Sequence, residues 1–396
     1  MKMNINKHIF EQGVVSLFTV LFTTLLLTVI TVSFLRIMVQ EQQQAQNQDL
    51  SQSAYDSAVS GVEDAKRVLR LCYQQGDTSQ ACKAINDKRC DTISSAGVVA
   101  GSAGQETIIR GESGDTRMNQ AYTCVKINRD TYDYLYDIEN PGQSVIVPLR
   151  ATNKFNKIVI EWMHRSSAGG KHSGGSSSTL ESPINPDDKK SLPPESSWNE
   201  AAPAVLRVLS VLPPDANKVT NAQLNSRVAS TTFLRPWVPE TEPLTFGRNI
   251  DMSLINRTAN GGTGQSSVQE VDCSKDAYEN KMIYACKAIL SIPDTESVPA
   301  YSQVAFMRLT ALYNATSFKV TLFDGDNPVK FDGVQPEVDS TGRAGVLLRR
   351  IVSKVSGEFT PPYDVEATLN TTFDLCKDFY LTDSASDANS DSTCGS

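Results

Sequence analysis

The residues best able to do chemistry in this chain are its eight cysteines: Cys72, Cys82, Cys90, Cys124, Cys273, Cys286, Cys376 and Cys394. Thiolates can attack, ligate metal or cross-link, and spacing separates these uses. No two of them stand in C-x-x-C spacing, so neither a zinc ribbon nor a thioredoxin-type redox site is indicated. All eight follow an apolar run near the N-terminus. An even number placed there predicts up to four disulfides in an oxidising space outside a membrane. Sequence alone leaves 105 pairings open; short intervening loops favour Cys273 with Cys286 and Cys376 with Cys394.

Other catalytic constellations are lacking. There are three histidines, His8, His164 and His172, which supply a His-dependent site poorly. No H-E-x-x-H, G-x-S-x-G or G-x-G-x-x-G pattern occurs. The stretch SSAGGKHS has the wrong spacing for a phosphate loop, and His172 stands where Ser or Thr would meet magnesium. In FDGDNPVKFDG, Asp324, Asp326, Asn327 and Asp332 offer the oxygen ligands calcium prefers. That spacing is not an EF-hand, and Gly-Asp-Asn-Pro suffices as a turn. The expectation is therefore a non-enzyme with no cofactor, no small-molecule substrate and no metal, Asp324, Asp326 and Asp332 being the weak candidate.

The elements that would position these residues begin with the apolar run. From Gly13 to Leu35 no side chain is charged. At about 1.5 Å per helical residue the run reaches roughly 34 Å, enough to cross a bilayer core and too long for a signal-peptide core. Lys2 and Lys7 precede it and a Gln-rich, nearly neutral stretch follows Arg36, which predicts a cytoplasmic N-terminus and an external head. Its hydroxyls, Ser16, Thr19, Thr23, Thr24, Thr28, Thr31 and Ser33, could bond back to the preceding turn or across to another helix. The totals fit a folded chain: 396 residues, 40% hydrophobic and 21% charged. A net charge of −8 excludes a general nucleic-acid binder.

Beyond the run, RIMVQEQQQAQNQDLSQSAYDSAVSGVEDAKRVLRLC contains no proline. Leu50, Ala54, Ala58, Gly61, Ala65, Leu69 and Cys72 recur at steps of three or four and draw one apolar stripe on a helix. Most of the stripe is small, so a partner surface could approach the backbone. The helix is expected to continue to about Cys72, on the order of 90 Å in all.

The leader KHIFEQG, the hydrophobic helix and then SAYDSAVSGVEDAKRVL together resemble the N-terminus of type IV pilus minor pilins of the PilX-like kind. The resemblance covers roughly the first 70 residues and implies several things. Gly13 would be the residue a prepilin peptidase recognises, leaving Val14 as the mature N-terminus. A sheet would pack on the outer half of the helix. Partners would be other pilins, the pilus assembly platform and the membrane. A C-terminal loop closed by Cys376 and Cys394 would resemble the disulfide-bounded region of many pilins. One departure stands out: Phe18 occupies the fifth mature position, where major pilins carry glutamate.

After Cys72, short β-type runs alternate with polar loops: YTCVKIN, SVIVPLR, KFNKIVIEWM, AVLRVLSVL, QVAFMRLTAL, SFKVTLF and VLLRRIVSKVS. Ile158, Ile160 and Trp162 share one face, and TYDYLYD alternates as an edge strand. The expected fold is α+β, a long N-terminal helix with an antiparallel β-rich head. Its divisions are a leader at 1–13, the helix at 14–72, a first part of the head at 73–165, a Gly/Ser/Pro-rich linker or long loop at 166–202, a second part at 203–380 and a Ser/Asp-rich tail at 381–396.

Overall fold

The computed structural model describes residues 8–99, 106–109, 119–164, 192, 198, 202–220, 229–237, 247–254, 267–274 and 284–357. Helix α1 runs unbroken over 68 residues, His8–Gln75. Nothing in its sequence removes a backbone donor, since the first proline comes far beyond it. It ends where Gly76 takes φ +83°, and the Gly76 amide closes back on the Cys72 carbonyl at 3.0 Å. Ser79 then caps α2 (Gln80–Asn86) by accepting from the Cys82 amide at 3.2 Å. A single further turn, α3, spans Thr92–Ser95.

Among the described residues fifteen strands follow, numbered along the chain, in three sheets. The first sheet has the order β1 (Thr107–Ile108), β2 (Gln120–Asn128), β14 (Glu337–Ala344) and β15 (Leu347–Lys354), all antiparallel. It lies on the outer half of α1. Along β14 burial alternates residue by residue, with Val338, Ser340 and Ala344 fully buried. Together with Val125 and Ile127 of β2 and Val62, Ala65, Val68 and Leu69 of α1, Val338 forms one core, which α2 and α3 close.

The other two sheets face each other around a larger core. One carries β13 (Asn327–Val329), β12 (Thr316–Asp324), β5 (Lys157–His164), β10 (Tyr284–Ser291) and β8 (Arg248–Asp251), with β3 (Asp133–Ile138) also on β12. Its partner has the order β4 (Ser144–Pro148), β11 (Phe306–Leu312), β6 (Val205–Val211), β7 (Ala229–Trp237) and β9 (Val268–Asp272). Ile158, Ile160 and Trp162 from the first meet Leu206, Val208, Met307 and Leu309 from the second. The Trp162 indole donates to the Ala204 carbonyl at 3.0 Å, so the largest buried side chain leaves no polar atom unpaired.

The chain is thus α+β, a long N-terminal helix with a mostly antiparallel β-rich head. Two strand pairs depart from the antiparallel expectation: β8 runs parallel to β10, and β9 parallel to β7. The strand within TYDYLYD begins at Asp133 and forms β3, whose one strand partner among the described residues is β12. Strands from both sides of residues 166–202 share each of the three sheets. The expected boundary at 380, the tail, Cys376 and Cys394 lie outside the described residues.

Candidate functional site

The site suggested by the sequence is helix α1 itself, and its two halves differ in surroundings. Between Leu17 and Val39 every large apolar side chain is more than half exposed, from Val20 and Phe22 to Leu35 and Met38. The segment is long and apolar enough to cross a membrane, and nothing in the described chain covers it. Its hydroxyls turn inward on their own helix. Thr23, Thr24 and Thr28 donate to the carbonyls of Val20, Leu21 and Leu25 at 2.7–2.9 Å. Thr31 donates to Leu27, and Ser33 to Val29. Of the two uses open to these hydroxyls, the helix adopts the local one. Gly13 and Val14 lie within the same helical run, near its start.

In the outer half the stripe faces the first sheet. Ala54, Ala58 and Ala65 are fully buried, Leu69 and Cys72 nearly so, and Gly61 is buried among them, while Leu50 at the inner end is half-buried. Smallness is used for close approach. A Cβ on Gly61 would overlap Ser340 Oγ and come within 3.0 Å of Val125. The same holds from the sheet side: a Cβ on Gly342 would overlap the Ala54 carbonyl oxygen and the Ala58 amide nitrogen. Polar groups then fix the register. Ser340 Oγ donates to the Ala58 carbonyl at 2.7 Å, Tyr122 donates to Asp64 at 2.8 Å, and Arg349 Nε donates to Ser51 Oγ at 2.8 Å. Burial pushes the Tyr122 phenol well above its ordinary pKa, so it remains a donor.

A polar joint locks the end of the stem to the sandwich. Asp332 is buried, and its two oxygens accept from Arg129 at 3.0 Å and from Arg150 at 2.5 Å. Arg129 also reaches Asp77, in the loop just after α1, at 2.8 Å. Tyr73 of α1 donates to the Gly333 carbonyl at 3.0 Å. Disulfides brace the same regions. Cys72–Cys82 ties the last turns of α1 to α2, and Cys90–Cys124 ties the α2–α3 segment to β2. Cys273–Cys286 joins the two sandwich sheets where β9 ends and β10 begins.

This arrangement corrects the weak metal candidate. Asp332 is committed to two guanidiniums, Asp326 pairs with Lys157 at 3.0 Å, and Asp324 lies 3.8 Å from Lys154. Among the described residues no group of three His, Cys, Asp or Glu could hold a metal. The loop is the turn its composition allows: Gly325 takes φ +61° and the β12–β13 hairpin closes around it. Sequence reasoning missed Ser340, Gly342, Arg129 and Arg150. The one available signal was Gly342 in an alternating run, EVDSTGRA, whose inward positions are too small to read as hydrophobic.

Comparison of the chain with protein-family models, with curated proteins and with solved structures returns no match.

Proposed function

We propose that the protein is a membrane-anchored minor pilin or pilin-like assembly subunit of a type IV pilus system, non-enzymatic, with an external head. The observation that carries this reading is the division of labour along α1. One continuous helix presents an unburied apolar half fit for lipid and then for a bundle of neighbouring helices. Its other half is buried along a small-residue stripe against a sheet of the same chain. A stem built so can be stored in a membrane and later withdrawn into a filament without disturbing the head. Three disulfides support placing that head in an oxidising compartment.

The test is the mass of the native protein together with its location. Cleavage after Gly13 gives a mature chain beginning at Val14, and shearing of cells releases the protein with the filaments. An intact N-terminus and a protein that stays with the membrane after shearing overturn the reading. That result would favour a single-pass surface receptor or adhesin. Phe18 supports this second reading, because no carboxylate at that position could neutralise a neighbour's amino terminus.

A further inference from the structure

The outer surface of the β4–β11–β6–β7–β9 sheet holds two guanidiniums side by side. Register places Thr310 of β11 opposite both Ser144 of β4 and Arg207 of β6, and Arg308 opposite both Ile146 and Leu209. Arg207 and Arg308 are therefore diagonal neighbours on one face, within about 7–8 Å across the strands. They rim a hollow of about 180 Å³ with Ser144, Thr310, Leu209 and Gly142.

Neither member of this pair meets a carboxylate among the described residues, a trait shared with Arg349, whose Nε and Nη2 fork onto Ser51 Oγ. Arg129, Arg150, Arg343 and Arg350 all end on carboxylates. Arg308 instead directs Nε and Nη2 at one hydroxyl, Ser144 Oγ, at 2.9 and 2.7 Å. A forked donor that normally grips two oxygens is thus held in place by a neutral acceptor. Arg207 is exposed, and its cross-strand neighbours, Thr310 and Phe233, carry no charge. Among the described residues neither guanidinium forms a salt bridge. In a chain with 45 acidic residues against 37 basic ones, these two adjacent cations have no carboxylate on them among the described residues, and both are accessible to an external anion.

We infer that this hollow is an anion-binding site for a tetrahedral oxyanion, carried as a sulfate or phosphate ester. Arg308, oriented by Ser144, supplies a fixed donor fork, Arg207 closes from the side, and Ser144 and Thr310 add hydroxyl donors. Two guanidiniums and two hydroxyls match the several acceptor oxygens of such a group. The inference stands on the head alone and does not depend on the stem entering a filament.

The test is calorimetric titration of the full-length protein in detergent at fixed ionic strength. The probes are inorganic sulfate, inorganic phosphate, galactose 6-sulfate and galactose 6-phosphate. Saturable binding of either ester is expected, with the preferred ester naming the source. Arg207→Gln should weaken it at least tenfold, and Arg308→Lys, which keeps charge and loses the fork, should weaken it severalfold. The double variant Arg207→Gln/Arg308→Gln should abolish it, while Arg70→Gln, an equal charge loss on the stem, should leave it within twofold. No saturable heat with any probe overturns the inference, as does equal loss in Arg70→Gln. If the double variant fails to fold, unchanged affinity in Arg207→Gln overturns it alone.

Discussion

The two halves of α1 have one backbone and opposite surroundings. In the inner half every large apolar side chain is exposed and every described Thr or Ser bond is local. In the outer half small residues are buried, and the exposed positions hold Glu63, Lys66, Arg67 and Arg70. Hydrophobicity is therefore highest where the chain provides no packing at all. The inner half is apolar enough to suit a solvent other than water, and the outer half fits one specific sheet. The first tolerates any apolar shape, whereas the second tolerates only absent or single-carbon side chains at its closest points.

The largest effect that separates the halves is expected at Gly342. Gly342→Val places branched carbons on the Ala54 and Ala58 backbone, which cannot move without bending the stem. Overpacking against backbone should cost about 3 kcal/mol or more in urea unfolding of the head. Leu26→Ala, by contrast, removes the same number of carbons, three, from the inner half and should leave head stability within about 0.5 kcal/mol. Equal effects would show that the halves are not independent. The converse substitution is Leu26→Arg, which should cost about 2.5–3.5 kcal/mol in membrane insertion and nothing in head unfolding.

What the sequence discloses differs between the halves in a related way. The inner half was legible because length and lack of charge are one-dimensional properties. The outer stripe was legible because alanines and Gly61 recur at helical spacing. The strand that receives it was not, since β14 buries Ser340, Gly342 and Ala344, none of which marks a strand. β10 (YACKAILS) escaped for the same reason, its buried positions including Ala285, Cys286 and Ala288. β7 contains Pro236 and the buried Arg235, both unusual in strands. Larger runs such as KIVIEWM, which fill a sandwich core, announced themselves. The Arg129–Asp332–Arg150 joint had no local signature, because its members are separated by 203 and 182 positions in two of three pairings.

The next effect concerns how the outer half is terminated. Cys72→Ser with Cys82→Ser opens the tie between α1 and α2, and a loop of about ten residues is worth roughly 2–3 kcal/mol. Without reductant the double variant should unfold that much more easily than wild type, and with reductant, which opens the Cys90–Cys124 and Cys273–Cys286 bonds in both, the gap between them should close. A still smaller effect should come from the sandwich at high pH. Burial pushes Tyr134 and Tyr284 up to about 12, with Tyr136 adding to the first and Glu161 to the second. A phenol whose folded pKa is raised above its ordinary value near 10 stabilises the folded state fully below pH 10. That share is lost as pH rises from 10 through 12. Stability should fall across that window, and Tyr134→Phe should flatten part of the fall, as read by urea midpoints at pH 9, 11 and 12.

The smallest effect is the sharpest test of the inner half. Thr28 donates to the Leu25 carbonyl at 2.7 Å, so its hydroxyl is already satisfied before any second helix arrives. A donor spent locally adds little to association in lipid, where packing must then hold helices together. Thr28→Val keeps the branched shape and deletes only the bond. Energy transfer between labelled copies in phospholipid vesicles should therefore change by less than about 0.5 kcal/mol in apparent association. Phe22→Ala, which removes an exposed ring from the same half, should weaken it more. If Thr28→Val proves the more damaging of the two, the hydroxyls bridge neighbouring helices, and the inner half is as particular about its partner as the outer half.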